Sequence, residues 1–267
     1  MTKRTVAVVG LGAMGRPIAE FIAKADFQTL GYDRGPSANA QGVQVVGRLA
    51  DVAPADVVLV IVPTDEDVRS VVSGPDGLIA ASQPGRVIVI SSSVTPQTCR
   101  DLAAEAAKRG VHVIDAALTG GVRGAETGKV SLLVGGPQDV VDSVADVFAA
   151  FAIGYHVLGD VGAGQVGKTA GNLIHWAQIV AIDEALRLAA AYGVEPARLR
   201  AALTHGVADS RALREIELMR FTWYKKDTEV AQRLAADVAM DLPVATLSRK
   251  LMDAVTVATV KELLAIQ

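Results

Sequence analysis

The sequence predicts an α/β sheet domain over residues 1–161 and an all-α domain over residues 162–267, linked by one long helix. Three observations predict this. First, short β-branched or continuously apolar runs alternate with 3.6-period patterns, the mark of βαβ units and a mainly parallel sheet. Second, Gly159, Gly162 and Gly164 mark a change in composition, after which no strand-like run remains. Third, residues 164–193 lack proline, and Leu173, Ile174, Ala177, Val180, Ala181 and Leu188 recur at helical spacing on more than one stripe. That pattern fits a helix buried on most sides.

In chain order, Thr5–Val9 is a β-branched run followed at once by Gly10-Leu11-Gly12-Ala13-Met14-Gly15 and a helical pattern through Ile18, Phe21 and Ile22. This is G-x-G-x-x-G with a strand before it and a helix after it, the context in which the motif cradles a dinucleotide. Gly10 permits the tight turn, Gly12 lets backbone approach a pyrophosphate, and Gly15 lets helix and strand pack closely. The first domain is therefore read as a Rossmann-type dinucleotide-binding domain. Phe27–Tyr32 reads as the second strand and ends at Asp33, where an acid can accept hydrogen bonds from the adenosine ribose. Arg34 follows, placed to stack on adenine or to meet a 2′-phosphate. Because Asp33 would repel that phosphate, the charge argument favours NAD over NADP, with NADP left possible.

The alternation continues with Val43–Val46, Asp56–Val62, Arg86–Ile90, His112–Ala116, Lys129–Val134 and Gly154–Leu158 as strands. Pro63-Thr64-Asp65 ends the fourth, with Asp65 expected to cap the next helix. Thr95-Pro96 opens a helix through Lys108, and another follows Pro137 to about Ala150. Ligands bind such sheets at the C-terminal ends of their strands. Gly10–Gly15, Asp33, Val62-Pro63, Ser91–Ser93 and Thr119–Gly124 all fall at such ends. Beyond the long helix, Pro196–Thr204, Asp209–Met219, Lys226–Met240 and Pro243–Leu264 are helical patterns.

Composition narrows the function. Of 267 residues, 51% are hydrophobic, enough for a large core. Lys plus Arg number 26 against 29 Asp plus Glu, so no basic surplus points to nucleic acid or an anionic membrane. No apolar run approaches a membrane span, and Met1–Arg4 leads straight into a strand rather than a signal peptide. The single cysteine, Cys99, cannot form an intrachain disulfide and is read as structural; together these features suit a reducing, cytoplasmic compartment. His112, His156, His175 and His205 show no metal-ligand spacing, and no metal is expected.

Lys168 and Asn172 interrupt the apolar surface early in the long helix and, four apart, share a face. A lysine there is either an exposed amine snorkelling off the helix end or a buried one whose lowered pKa suits proton transfer near neutral pH.

These residues, taken together, resemble the β-hydroxyacid dehydrogenases, the group containing 3-hydroxyisobutyrate dehydrogenase and tartronate semialdehyde reductase and related to 6-phosphogluconate dehydrogenase. The resemblance covers nearly the whole chain. The family's G-L-G-x-M-G stands unbroken at Gly10–Gly15; its D-A-P-V-S-G-G loop appears as Asp115-Ala116-Ala117-Leu118-Thr119-Gly120-Gly121; its G-x-x-x-K…N is Gly164, Lys168 and Asn172; its late K-D pair is Lys226-Asp227. The resemblance implies Lys168 as general acid/base and Asn172 as holder of the substrate hydroxyl or of Lys168. It implies Thr119, Gly120 and Gly121 as carboxylate binders, and Val62, Pro63, Asp67 and Ser93 as cofactor contacts, with Lys226 near the nicotinamide end. Arg123 is either an anion contact or an ordinary surface arginine. Thr119 replaces a serine, Gly171 stands where many members carry an asparagine, Ala117 replaces a proline, and Asp67 replaces an asparagine and could repel phosphate.

The expected protein is an NAD(P)-dependent oxidoreductase acting on a small β-hydroxyacid or its semialdehyde, built as a homo-oligomer through the apolar helical half. An imine or small-aldehyde reductase, and a dinucleotide-binding protein without turnover, are the alternatives.

Overall fold

The computed structural model describes residues 3–35 and 39–266. The chain divides into two compact units, Met1–Lys168 and Thr169–Gln267.

The first unit opens with β1 (Thr5–Val9), α1 (Gly15–Lys24), β2 (Gln28–Tyr32) and β3 (Gln44–Val45), then β4 (Val57–Val60), α2 (Asp65–Ser73), α3 (Leu78–Ala81), β5 (Val87–Ile90) and α4 (Pro96–Ala107). It continues through β6 (His112–Thr119), α5 (Gly121–Glu126), β7 (Val130–Gly135), α6 (Gln138–Asp142), α7 (Ala145–Ala149) and β8 (Ala152–Gly159). The described strands form one sheet in the order β3-β2-β1-β4-β5-β6-β7-β8. All neighbours run parallel except β6 and β7. The reversal follows from chain length: residues 120–129 are fewer than the dozen or so that a parallel crossover needs.

Strands β4 and β5, and β1 from Val6 onward, are apolar throughout because both their faces are covered. Val6, Val8, Leu59 and Val89 point into a core closed by Ile18, Ile22, Ala125 and Phe148. Ala7, Val9, Val58, Val60, Ile88 and Ile90 point the other way, onto Val68, Leu78 and Leu102. Strand order reverses between β1 and β4, and the C-terminal ends of these strands open a crevice there, the usual ligand position of such sheets.

Several expected boundaries shift. β4 ends at Val60 rather than Val62, because the Val62 N–H turns away to Ser92 Oγ at 2.7 Å. β6 runs on to Thr119 rather than stopping at Ala116, because Ala117–Thr119 pair with Leu133–Ser131 of β7. Thr64, not Asp65, caps α2, accepting from Asp67 N–H at 3.0 Å; the Asp65 carboxylate instead takes the Thr95 N–H and the Thr98 hydroxyl. The single helix expected after Pro137 is two short ones, α6 and α7.

Helix α8 (Ala163–Ala191) begins in the first unit and continues in the second, followed by α9 (Pro196–Leu203), α10 (Arg211–Glu215), α11 (Tyr224–Asp237), α12 (Pro243–Leu251) and α13 (Val257–Leu264). The helix expected over Pro243–Leu264 is broken: a 3₁₀ turn at Met252–Ala254 ends the first part, and Thr256 starts the second with a capping box shared with Thr259. The second unit's core gathers Trp176, Ile179 and Val180 of α8 with Ile216, Phe221, Met252 and Val260. Burial of α8 on most sides does not hold within the single chain: Ile174 and Leu188 are each 61% exposed. No helix among the described residues is long and apolar enough to cross a membrane.

Candidate active site

The glycine turn joins β1 to α1 at the crevice. Gly10 adopts a φ of +94°, and its N–H donates to the Tyr32 carbonyl at 2.8 Å. A Cβ on Gly15 would lie 1.8 Å from the Gly10 carbonyl oxygen, so helix and turn touch backbone to backbone. Gly12 differs: a Cβ there would meet nothing within 4 Å. Gly12 and the adjoining Ala13 are exposed, Met14 is half-buried, and Leu11 is buried. Helix α1 carries no acidic residue in its first turn and no side-chain cap at Met14. Open space over Gly12 and a helix start without a competing carboxylate form a cradle that suits the diphosphate of a dinucleotide.

Asp33, at the end of β2, is bound at both oxygens: Leu11 N–H donates to Oδ2 and Gly35 N–H to Oδ1, each at 2.7 Å. The carboxylate therefore holds the glycine turn while keeping lone pairs for a ribose. Arg34 pairs with Asp67, which also accepts from the Thr64 hydroxyl at 2.8 Å. That hydroxyl, with Arg34 beside it, holds the Asp67 carboxyl below its ordinary pKa. Two residues expected to face a cofactor phosphate separately, with opposite signs, thus neutralise each other.

The next two strand ends are stitched together. Ser92, buried at the end of β5, accepts the Val62 N–H and donates to the Val60 carbonyl, while Pro63 is exposed. Ser93 is exposed, and its Oγ accepts from Lys168 Nζ at 2.7 Å. The half-buried Lys168 therefore reaches the C-terminal edge of the sheet.

At the end of β6, the Thr119 hydroxyl donates to the Ser131 carbonyl at 3.0 Å. That bond uses its only proton, so Thr119 offers lone pairs rather than a donor to an anion. Gly120 and Gly121 follow with φ of +100° and +64°, leaving backbone N–H groups as the donors of this turn. Arg123 is exposed on α5. In the second unit, Asn172 is half-buried on α8, four positions after Lys168. Lys226 is exposed near the start of α11 with its Nζ 6.0 Å from the Trp223 ring centre; the neighbouring Asp227 accepts from the Trp176 indole N–H at 3.0 Å.

Two buried residues whose part is not legible from the motifs also belong to the site. Asp115, fully buried in β6, accepts the N–H groups of Gly162 and Gln165 at the start of α8. Gly164 is small for the same reason: a Cβ there would sit 2.2 Å from the Leu133 carbonyl oxygen and 2.7 Å from Asp115 Oδ2. The side chain of Gln165, 2% exposed, spans to the loop after β5. A charged residue inside the apolar run Val113–Leu118, and an amide three positions before Lys168, were the available signals. Cys99 lies buried on α4, and burial, with Asp115 and Asp65 nearby, pushes its thiol well above the ordinary range, which leaves it inert.

Burial pushes the Asp115 carboxyl up to about 6, against the backbone N–H groups that hold it down. In the unfolded chain the group titrates near 3.8. Between these values the native state keeps a proton that the unfolded state has lost, so the Asp115 contribution is fully present below about pH 4 and is lost as pH rises through 6. The difference is about 3 kcal/mol at ~1.4 kcal/mol per unit. In urea unfolding from pH 4 to 7, the stability of the wild type minus that of Asp115→Asn is expected to fall by about that amount. A pH-independent difference would contradict the assignment.

Residues 5–159 match the family described as the NAD binding domain of 6-phosphogluconate dehydrogenase, and residues 162–263 match the NAD-binding family of NADP-dependent 3-hydroxyisobutyrate dehydrogenase. The 2-hydroxy-3-oxopropionate reductase of Escherichia coli is 32% identical, over 88% of this chain and 85% of that protein. The 2-(hydroxymethyl)glutarate dehydrogenase of Eubacterium barkeri is 33% identical, over 72% of this chain and 65% of that protein. Among solved structures, the Mycobacterium tuberculosis 3-hydroxyisobutyrate dehydrogenase, determined with L-serine, superposes with a TM-score of 0.85 at 26% identity, covering 95% of this chain and 94% of that one. With both halves matched within one group of enzymes, the chain belongs to the β-hydroxyacid dehydrogenase family, NAD(P)-dependent oxidoreductases that act on CH–OH groups.

Proposed function

We propose that this protein is an NAD-preferring dehydrogenase of a small β-hydroxyacid, or a reductase of the matching semialdehyde, with Lys168 as general acid/base. The observation that carries this reading is the reach of the Lys168 amine to Ser93 Oγ, beside the strand ends that flank the glycine turn. Bound nicotinamide supplies the two-electron redox chemistry. The protein's task is to align the reacting carbon and to manage one proton. Lys168 takes that proton from the alcohol oxygen on oxidation and returns it on reduction. Gly120 and Gly121 offer N–H groups to the substrate carboxylate, and Arg123 adds a cation at the rim of that turn. The Thr119 hydroxyl, committed to Ser131, shapes the turn and offers only lone pairs. Asn172 is assigned to the substrate hydroxyl and Lys226 to the nicotinamide end. Gly10–Gly15, Asp33, Val62, Pro63 and Ser93 hold the rest of the cofactor. Asp67 acts on it indirectly, through Arg34.

The preference for NAD rests on Asp33, whose charge opposes a 2′-phosphate. Asp33→Ala is expected to narrow the NAD/NADP ratio of kcat/KM by about tenfold, ~1.4 kcal/mol. Affinity for both cofactors falls, because Leu11 N–H and Gly35 N–H lose their acceptor; the ratio is therefore the readout. An unchanged ratio would contradict the ribose role.

The assembly is proposed to be a homodimer or tetramer built on α8, on the exposure of Ile174 and Leu188. A monomeric mass in solution scattering would refute it. The lone, buried Cys99 suits a reducing, cytoplasmic setting.

The reading is tested by following reduced-nicotinamide absorbance with NAD and NADP against 3-hydroxyisobutyrate, L-serine and 2-(hydroxymethyl)glutarate, and with NADH and NADPH against 2-hydroxy-3-oxopropionate. At least one is expected to turn over, faster with NAD or NADH than with the 2′-phosphorylated form. Binding of either cofactor without turnover of any acid would favour a non-catalytic dinucleotide-binding protein.

A further inference from the structure

Lys168 and Ser93 meet through two flexible attachments: a long alkyl stem from α8 and an exposed loop after β5. A lysine stem has four rotatable carbons, and an exposed serine has no packing to fix it. What sets their separation must therefore lie beside them. Gln165 stands three positions before Lys168 on the same helix, so both side chains leave one face. Its carboxamide is almost completely buried. Its Nε2 donates to the Ser92 carbonyl at 2.9 Å, and its Oε1 accepts from the Val94 N–H at 3.3 Å. The two peptide groups that flank Ser93 are thus both bound by one side chain. The helix end of this strap is fixed in turn, because the N–H of Gln165 itself donates to the buried Asp115 carboxylate at 2.9 Å.

We propose that Gln165 is a positioning residue: its amide clamps the backbone on both sides of Ser93 and so holds the Ser93 hydroxyl in reach of the Lys168 amine. The chemistry requires an amide. The Ser92 carbonyl needs a donor and the Val94 N–H needs an acceptor, and among side chains of this length a neutral glutamine supplies both. A glutamic acid does the same only while protonated. An apolar side chain of equal size does neither and leaves both peptide groups without their partner. The proposal rests on the reading of Lys168 as general acid/base, and its test separates the two.

Two variants decide it, assayed on whichever acid of the panel above turns over fastest, with NAD for a hydroxyacid or NADH for the oxo acid. Gln165→Leu is expected to lower kcat by about 10²-fold, the cost of displacing a reacting group by about 1 Å, with the acid KM changed less than about threefold. Gln165→Glu is expected to behave as a titratable copy of the wild type. Its kcat relative to wild type should be highest near pH 5 and fall by about tenfold towards pH 9 as the buried carboxyl ionises and its donor is lost. A residue that merely fills space would give a pH-independent ratio. In the cofactor-free protein, hydrogen exchange at the Val94 amide should quicken by about tenfold or more in Gln165→Leu, while the amides of Val87–Ile90 stay protected. Wild-type kcat in a folded Gln165→Leu, a flat Gln165→Glu ratio, or unchanged exchange at Val94 would each overturn the proposal. If Gln165→Leu does not fold, the Gln165→Glu profile decides. Lys168→Ala is the control: an active Lys168→Ala overturns the reading of the site, whereas an inactive one beside a fully active Gln165→Leu overturns only the clamp.

Discussion

Lys168→Ala is expected to lower kcat by about 10³-fold, within the range that a positioned general acid/base contributes, while NAD binds within about threefold of the wild-type affinity. The asymmetry follows from where the amine sits. Its Nζ bonds Ser93 Oγ, at the end of β5, and not the turn between β1 and α1 where the diphosphate would lie. The folded state should lose little, because Lys168 is only half-buried and Ser93 is exposed to water once its partner is gone. Lys168→Arg is a sharper version of the same test. It keeps the positive charge and can still reach Ser93, but a guanidinium does not release its proton in this pH range. Both variants should therefore be slow, and both should show unaltered NAD titrations by calorimetry. Turnover at the wild-type rate in either would exclude this lysine from proton transfer.

Gly12→Ala and Gly15→Ala are expected to fail in opposite ways, although they lie in one motif. At Gly12 a methyl group meets no protein atom within 4 Å, and the backbone is not in the left-handed region. Folding should be indifferent, with the thermal midpoint within about 2 °C of wild type. The methyl group instead fills the space over the turn, and the NAD dissociation constant should rise by about 10²-fold, ~3 kcal/mol. At Gly15 the methyl group would lie 1.8 Å from the Gly10 carbonyl oxygen, which cannot yield without moving the turn. Overpacking of backbone against backbone should destabilise by about 3 kcal/mol or more. Calorimetric titration and thermal unfolding of the two variants distinguish these outcomes. If Gly12→Ala bound NAD normally, the open space over that glycine would not be the cofactor cradle.

The two glycines show what a sequence states and what it withholds. Gly10, Gly12 and Gly15 are legible as a motif because their spacing between a strand and a helix is local. The same holds for β1, β4 and β5, whose unbroken apolar runs announce burial on both faces, and for Pro96 opening α4 behind its Thr95 cap. Lys168 was legible as a polar break on an apolar helix, but its partner was not: Ser93 lies 75 residues away. Nor was the meeting of Arg34 with Asp67, which turns two expected phosphate contacts into one neutral pair. Asp115 stood in plain sight inside an apolar strand. Its reason, two N–H groups at the start of a helix some 50 positions later, appears only when β6 and α8 are adjacent. Two of the boundaries that moved did so through pairing of the same kind. β6 grew because β7 pairs with its end, and α2 passed its cap to Thr64 because Asp65 was taken by Thr95 and Thr98.

The order of strands and helices, the glycine turn, the apolar faces and the placing of an amine early on the long helix were determined by the sequence itself. Periodicity, turn geometry and charge act over a few residues and need no partner from elsewhere. Which hydroxyl meets that amine, which carboxylate anchors its helix, and which amide spans the two were decided only by tertiary structure. Each is a hydrogen bond between atoms far apart along the chain. A directional contact of about 3 Å exists only after both backbones have been fixed by the packing of everything between them.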